Sequence, residues 1–72
     1  MPEETELRTV FLTQVKTRLS QRQKSLNWLA DFSGVNRGYL SQIFRSQKTP
    51  TINIVARLAI ALECEPWELL KD

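Results

Sequence analysis

Nine cations lie between Arg8 and Arg57: Arg8, Lys16, Arg18, Arg22, Lys24, Arg37, Arg45, Lys48 and Arg57. Asp31 is the only acid in that stretch. The acids gather instead near the two ends, as Glu3, Glu4, Glu6, Glu63, Glu65, Glu68 and Asp72, with Lys71 the one cation among them. A net charge of +2 conceals this segregation. Cations and amides of this kind do binding chemistry: they neutralise and orient a polyanion, most often nucleic acid. The alternative is a solvated surface whose acidic ends suit helix N-termini. Other chemistries lack their parts. The chain has no histidine and a single cysteine, Cys64, so it has no Cys/His pair and no intrachain disulfide. No Gly-rich phosphate loop follows a strand pattern. The expectation is a non-enzymatic chain with no cofactor and no metal.

The elements that must position these groups are helical throughout. Leu7, Val10, Phe11, Val15 and Leu19 recur at three- and four-residue intervals and predict a first helix from Glu4 to Arg22. Ser25 is a good N-cap for a second helix, "LNWLADFS", and Gly34 a good terminator, because the position after a helix end favours left-handed backbone. Asn36 caps a third helix with Leu40, Ile43 and Phe44 as its apolar stripe; Gly38, a poor helix former, falls in its first turn. "RSQKTP" breaks the pattern, Thr51 caps a fourth helix running to Leu62, and Pro66 opens a short fifth, "WELLK".

Residues 1–72 thus read as one all-α domain of five helices with tight connections. A core this small leaves apolar side chains available to a partner subunit. There is no signal-peptide pattern and no apolar run of about 20 residues, so the expectation is a cytoplasmic chain without a membrane span. Two short helices joined through a glycine turn form a helix-turn-helix arrangement, although such turns also join helices that bind nothing.

The segment "SLNWLADFSGVNRGYLSQIFRSQKTPT", followed by "LAIALECEPWELL", resembles the Cro/lambda-type repressor helix-turn-helix domain, of the xenobiotic-response-element class. The matching residues are Leu29-Ala30, Gly34-Val35, Tyr39-Leu40-Ser41, Ile43, Arg45, Pro50 and Ala61-Leu62. The resemblance implies a five-helix domain that binds double-stranded DNA, usually as a homodimer on a two-fold operator. Three positions depart from the pattern. Leu26 replaces a phosphate-contacting Gln, and Ser46 replaces a Gly, so the loop there must start differently. Leu19 and Phe44 replace an Arg/Glu pair, a double change that avoids stranding one buried charge; the two are expected to touch.

By that resemblance, Arg37, Gly38, Tyr39 and Gln42 occupy the base-reading positions of the third helix. Arg37 suits guanine and Gln42 suits adenine; Tyr39 either meets DNA or lies on the second helix. Gly38 would let the backbone approach the groove. Phosphate contacts are expected from Arg22, Lys24, Ser25 and Asn27 on one side and Asn36, Arg45, Gln47, Lys48 and Thr49 on the other. Ile54, Ile60, Trp67 and Leu70 are the expected dimer interface, with core closure as the alternative role of Trp67. Trp28 and Phe32 form an i,i+4 aromatic pair that packs on the first helix or marks a second contact surface. Cys64 reads as a small buried apolar residue. The competing function is an antitoxin or anti-repressor acting through a protein partner, which the exposed aromatics would suit.

Overall fold

Three side-chain caps set the helix starts. Ser25 Oγ accepts the amide of Trp28 at 3.1 Å, Asn36 Oδ1 that of Tyr39 at 3.1 Å, and Thr51 Oγ1 that of Ile54 at 3.2 Å. Each satisfies one of the orphan donors of a first helical turn. A computed structural model describes residues 4–71, with side chains from residue 7 onward. The terminal acids Glu3 and Asp72 lie outside the described residues. The elements are α1 Glu4–Arg22, α2 Leu26–Ser33, α3 Arg37–Phe44, α4 Ile52–Ala61 and a 3₁₀ helix, Pro66–Leu70. No strand occurs among the described residues.

The fifth element corrects the expectation of a fifth α-helix. Its first turn closes with an i→i+3 bond from the Glu68 N–H to the carbonyl of the N-cap residue Glu65, at 2.9 Å. Pro66 brings no amide, and the Glu68 carboxylate accepts the Glu65 amide at 2.6 Å. A capping box on so short a segment closes a tight turn and leaves no room to propagate an α-helix.

The ends of α1, α3 and α4 share one device. Gln23, Ser46 and Glu63 adopt φ of 56°, 62° and 57°. The amide of the next residue in each case bonds back to a carbonyl of the last turn: Lys24 to Leu19 and Cys64 to Ala59 at 2.9 Å, Gln47 to Gln42 at 2.8 Å. These are Schellman terminations built without glycine. The loop after α3 therefore does not start differently for want of Gly: Ser46 takes the left-handed conformation itself. Only Gly34, at φ 77° after α2, fills such a position with glycine.

One core joins all elements. Phe11, Val15 and Leu19 of α1 meet Leu29 and Ala30 of α2, Leu40 and Ile43 of α3, and Leu58 and Leu62 from α4, all buried. Leu69 of the 3₁₀ helix, at 0% exposure, closes this core, whereas Trp67 remains 57% exposed. Core closure is thus not the role of Trp67. Phe44 packs half-buried against the core that contains Leu19, and Lys16, one turn before Leu19, sets Nζ 5.9 Å from the Phe44 ring centroid. The aromatic ring thus lies along the last turns of α1. Leu26 also packs half-buried on the core. Cys64 is half-buried; burial pushes its thiol pKa up, with nearby Arg18 pulling the other way, which suits an inert packing residue.

Candidate nucleic-acid interface

The turn Gly34–Asn36 sets α3 relative to α2. Gly34 needs its positive φ more than its small size, because a Cβ there would meet only Arg57 Nη1, at 3.9 Å. Val35 then plugs into the core, and Ser33 Oγ, donating to the Leu29 carbonyl at 2.6 Å, accepts the Val35 amide at 3.4 Å. With Leu40 and Ile43 wholly buried, the 3.6-residue period turns Arg37, Gly38, Ser41, Gln42 and Arg45 outward on one face. No acid lies on it.

The residues expected to read bases are brought together on or beside this face, in different states. Arg37 is exposed and gripped by Asp31 of α2: Nη2 donates to both carboxylate oxygens, at 2.9 and 3.0 Å, and Nε donates to Oδ1 at 3.3 Å. Gly38 is exposed, and a Cβ on it would sit 3.1 Å from Asn36 Oδ1, the atom that caps α3. Tyr39 packs half-buried against the core, with Lys48 Nζ 5.8 Å from its ring centroid. Gln42 is half-exposed at the face's edge.

Of the residues expected at phosphates, Lys24, Ser25, Asn27, Asn36, Arg45, Gln47, Lys48 and Thr49 are all exposed. Lys24 rests over the Trp28 ring, 5.6 Å from its centroid, and Thr49 Oγ1 accepts from Arg8 Nη1 at 3.3 Å. Arg22 is different. Its Nη1 pairs with Glu63 at 2.8 Å and its Nη2 donates to the Leu62 carbonyl at 2.8 Å. In the absence of DNA its guanidinium holds the end of α1 on the end of α4.

The residues expected at a dimer interface also divide. Ile60 (75%), Trp67 (57%) and Leu70 (42%) are exposed, whereas Ile54 is half-buried and packs on the core. Sequence reasoning missed Ile52, 88% exposed one turn before the half-buried Ala56 and two before Ile60. A groove of about 310 Å³ runs beside it, lined by Leu7, Phe11, Pro50, Val55 and Leu70 among others. Asp31 and Arg57 were missed as well. The signal for Asp31 was its standing as the lone acid of the cationic segment; Arg57 reaches the turn from α4, which no local pattern reveals. Trp28 and Phe32 stack on each other, centroids 5.1 Å apart and planes 11° apart, with Phe32 65% exposed.

Among the described residues no group of three or more His, Cys, Asp or Glu could hold a metal, and no helix is long and apolar enough to cross a membrane. The described residues thus form an all-helical frame with a polar, acid-free face on α3. Residues 16–69 match the HTH_3 helix-turn-helix family, and the chain belongs to this Cro/C1-type family of DNA-binding transcriptional regulators. Three solved structures are similar. A hypothetical transcription factor, NHTF, from Neisseria shares 25% identity at a TM-score of 0.85, covering 99% of this chain and 82% of that one. An HTH_3 family transcriptional regulator from Vibrio cholerae shares 27% at 0.81; 93% of this chain aligns, spanning 38% of that protein. The restriction-modification controller protein C.AhdI from Aeromonas hydrophila shares 29% at 0.77, covering 86% and 94% of the two chains. No curated protein matches the sequence.

Proposed function

We propose that residues 1–72 act as one sequence-specific, double-stranded-DNA-binding regulator in the cytoplasm, with no catalytic role. In this reading α2, the Gly34 turn and α3 are the helix-turn-helix, and α3 enters the major groove. One observation carries it: the outer face of α3 holds Arg37 and Gln42 without an acid, and exposed Lys24, Arg45 and Lys48 flank it. Arg37 and Gln42 read base edges. Gly38 keeps the first turn slim, and Tyr39 braces the helix through its ring. Ser25 caps α2 through its own oxygen, so the next amides, of Leu26 and Asn27, remain for a phosphate. Asn36, Gln47 and Thr49 add polar contacts on the other strand. The regulator acts as a homodimer through Ile60, Trp67 and Leu70, joined by Ile52 rather than by the core-packed Ile54.

Selection of a preferred site from a random duplex library, followed by titration, tests this. Arg37→Ala should lose about 1–3 kcal/mol of discrimination at one base pair of the selected site. A wild-type protein that binds selected and scrambled duplexes equally would overturn the reading. A second reading, an antitoxin or anti-repressor acting on a protein partner, rests on Phe32, 65% exposed and stacked on the half-buried Trp28. It predicts a partner complex that Phe32→Asp abolishes while DNA binding persists.

A further inference from the structure

An acid beside a DNA-reading helix weakens binding to any phosphate chain, so Asp31 requires an explanation. It is the only acid between Arg8 and Arg57, and it lies on α2 directly across the turn from Arg37, the first residue of α3. Fold stability does not supply the explanation. The two side chains are 63% and 60% exposed, and ion pairs this open add little.

The donor geometry offers a better one. A guanidinium carries five N–H groups in a planar fork. Asp31 lies against the side edge of that fork, taking Nε at 3.3 Å and Nη2 at 2.9 and 3.0 Å through its two oxygens. Nη1 has no partner among the described residues. It lies on the end edge of the fork, the side from which an arginine can donate to guanine N7 and O6 in the major groove. An arginine held on one edge loses its rotamer freedom before DNA arrives instead of on binding. Its positive charge also neutralises the carboxylate that would otherwise face the phosphates.

Resting on the reading of α3 as the recognition helix, we propose that Asp31 is a positioning residue for base recognition: it fixes the plane of Arg37 and presents the unpartnered Nη1 to one guanine. This assigns Asp31 two opposite effects. Its charge opposes DNA in general, and its grip sharpens the choice of one base pair.

The test uses Asp31→Ala, Asp31→Asn, Arg37→Ala and the Asp31→Ala/Arg37→Ala double variant, each checked for folding by circular dichroism. Titrations use the selected duplex, the same duplex with the Arg37-dependent G·C pair changed, and a scrambled duplex. Asp31→Ala should bind scrambled DNA more tightly than wild type, yet discriminate the G·C pair about 2- to 12-fold less well. Asp31→Asn should lie between Asp31→Ala and wild type, and in the Arg37→Ala background the loss should vanish. Equal gains on all three duplexes would overturn the proposal, as would a loss of discrimination that persists without Arg37. A DNA-free measurement separates this proposal from the reading beneath it. The ¹⁵N–¹H heteronuclear NOE of Arg37 Nε should fall in Asp31→Ala protein, and an unchanged value overturns the positioning role even if DNA is bound. A wild type without sequence preference, with that NOE falling, would overturn the recognition role and leave only a local ion pair.

Discussion

Salt should weaken this protein's grip on DNA by an amount that can be counted from its free cations. Arg22 is excluded, because Glu63 and the Leu62 carbonyl each hold it at 2.8 Å. Arg37 is excluded because the proposed reading assigns it to a base. Lys24, Arg45 and Lys48 remain at the flanks of α2 and α3, all exposed. Lys24 and Lys48 rest over aromatic rings at 5.6 and 5.8 Å. Such interactions are worth only about 0.5–1 kcal/mol at exposed sites, so a phosphate can take the ammonium. Three cations per subunit make six in a dimer, and about 0.9 counterions released per neutralised phosphate gives a slope of log K against log salt near −5. Raising salt from about 50 to about 200 mM should therefore lower affinity roughly 10³-fold. Fluorescence anisotropy of a labelled operator duplex across that range measures the slope. Lys48→Ala should flatten it by about 2, because each subunit then neutralises one phosphate fewer, and should weaken matched and scrambled sites alike. A slope near zero would refute the electrostatic reasoning. A slope of about −7, four phosphates per subunit, would refute the assignment of Arg22 to the fold.

Two substitutions address the frame that holds the site. Ser46→Gly should raise stability by about 0.5–1 kcal/mol, since left-handed backbone costs an L-residue about 1–2 kcal/mol and added glycine freedom in the unfolded chain offsets about 0.4–1. Urea melts with unchanged m should show the midpoint rising, and a falling midpoint would deny that Ser46 is strained. Arg22→Ala should cost about 1–2 kcal/mol, less than a fully desolvated charged bond because the pair is 36% and 73% exposed. Its salt slope for DNA should match wild type; a flatter slope would return Arg22 to the phosphates.

Local chemistry in the sequence was enough to locate the helices, and the reason is visible in the caps. Ser25, Asn36 and Thr51 each act within three residues of themselves, and Gly34 acts on its own φ, so type and spacing suffice to read them. Outcomes that depended on distant partners stayed hidden. Arg22 meets Glu63 across 41 residues, and nothing in the pattern around either residue separates a fold-holding arginine from a phosphate-binding one. Gln23, Ser46 and Glu63 carry no left-handed signature; the packing of the helices they terminate imposes it. The exposure of Ile52 depends on how the start of α4 sits on the rest of the fold, which no local pattern reveals.

Gly38 shows how a residue expected at a site can also have a local reason for its type. Its place in the first turn of α3 points to close approach of a ligand. The structure adds a local reason: a Cβ would press to 3.1 Å on Asn36 Oδ1, which holds the Tyr39 amide and so starts the helix. A glycine there costs roughly 1 kcal/mol of helix propensity relative to alanine, and leaving Asn36 Oδ1 undisturbed offsets part of that. The face that the bare backbone opens lies between Arg37 and Gln42. Reading by those two long side chains needs no short one competing for space between them. Their separation, five residues along the helix, puts them on adjacent turns. In the proposed arrangement glycine would serve recognition by what it leaves vacant, and Asp31 by what it holds in place.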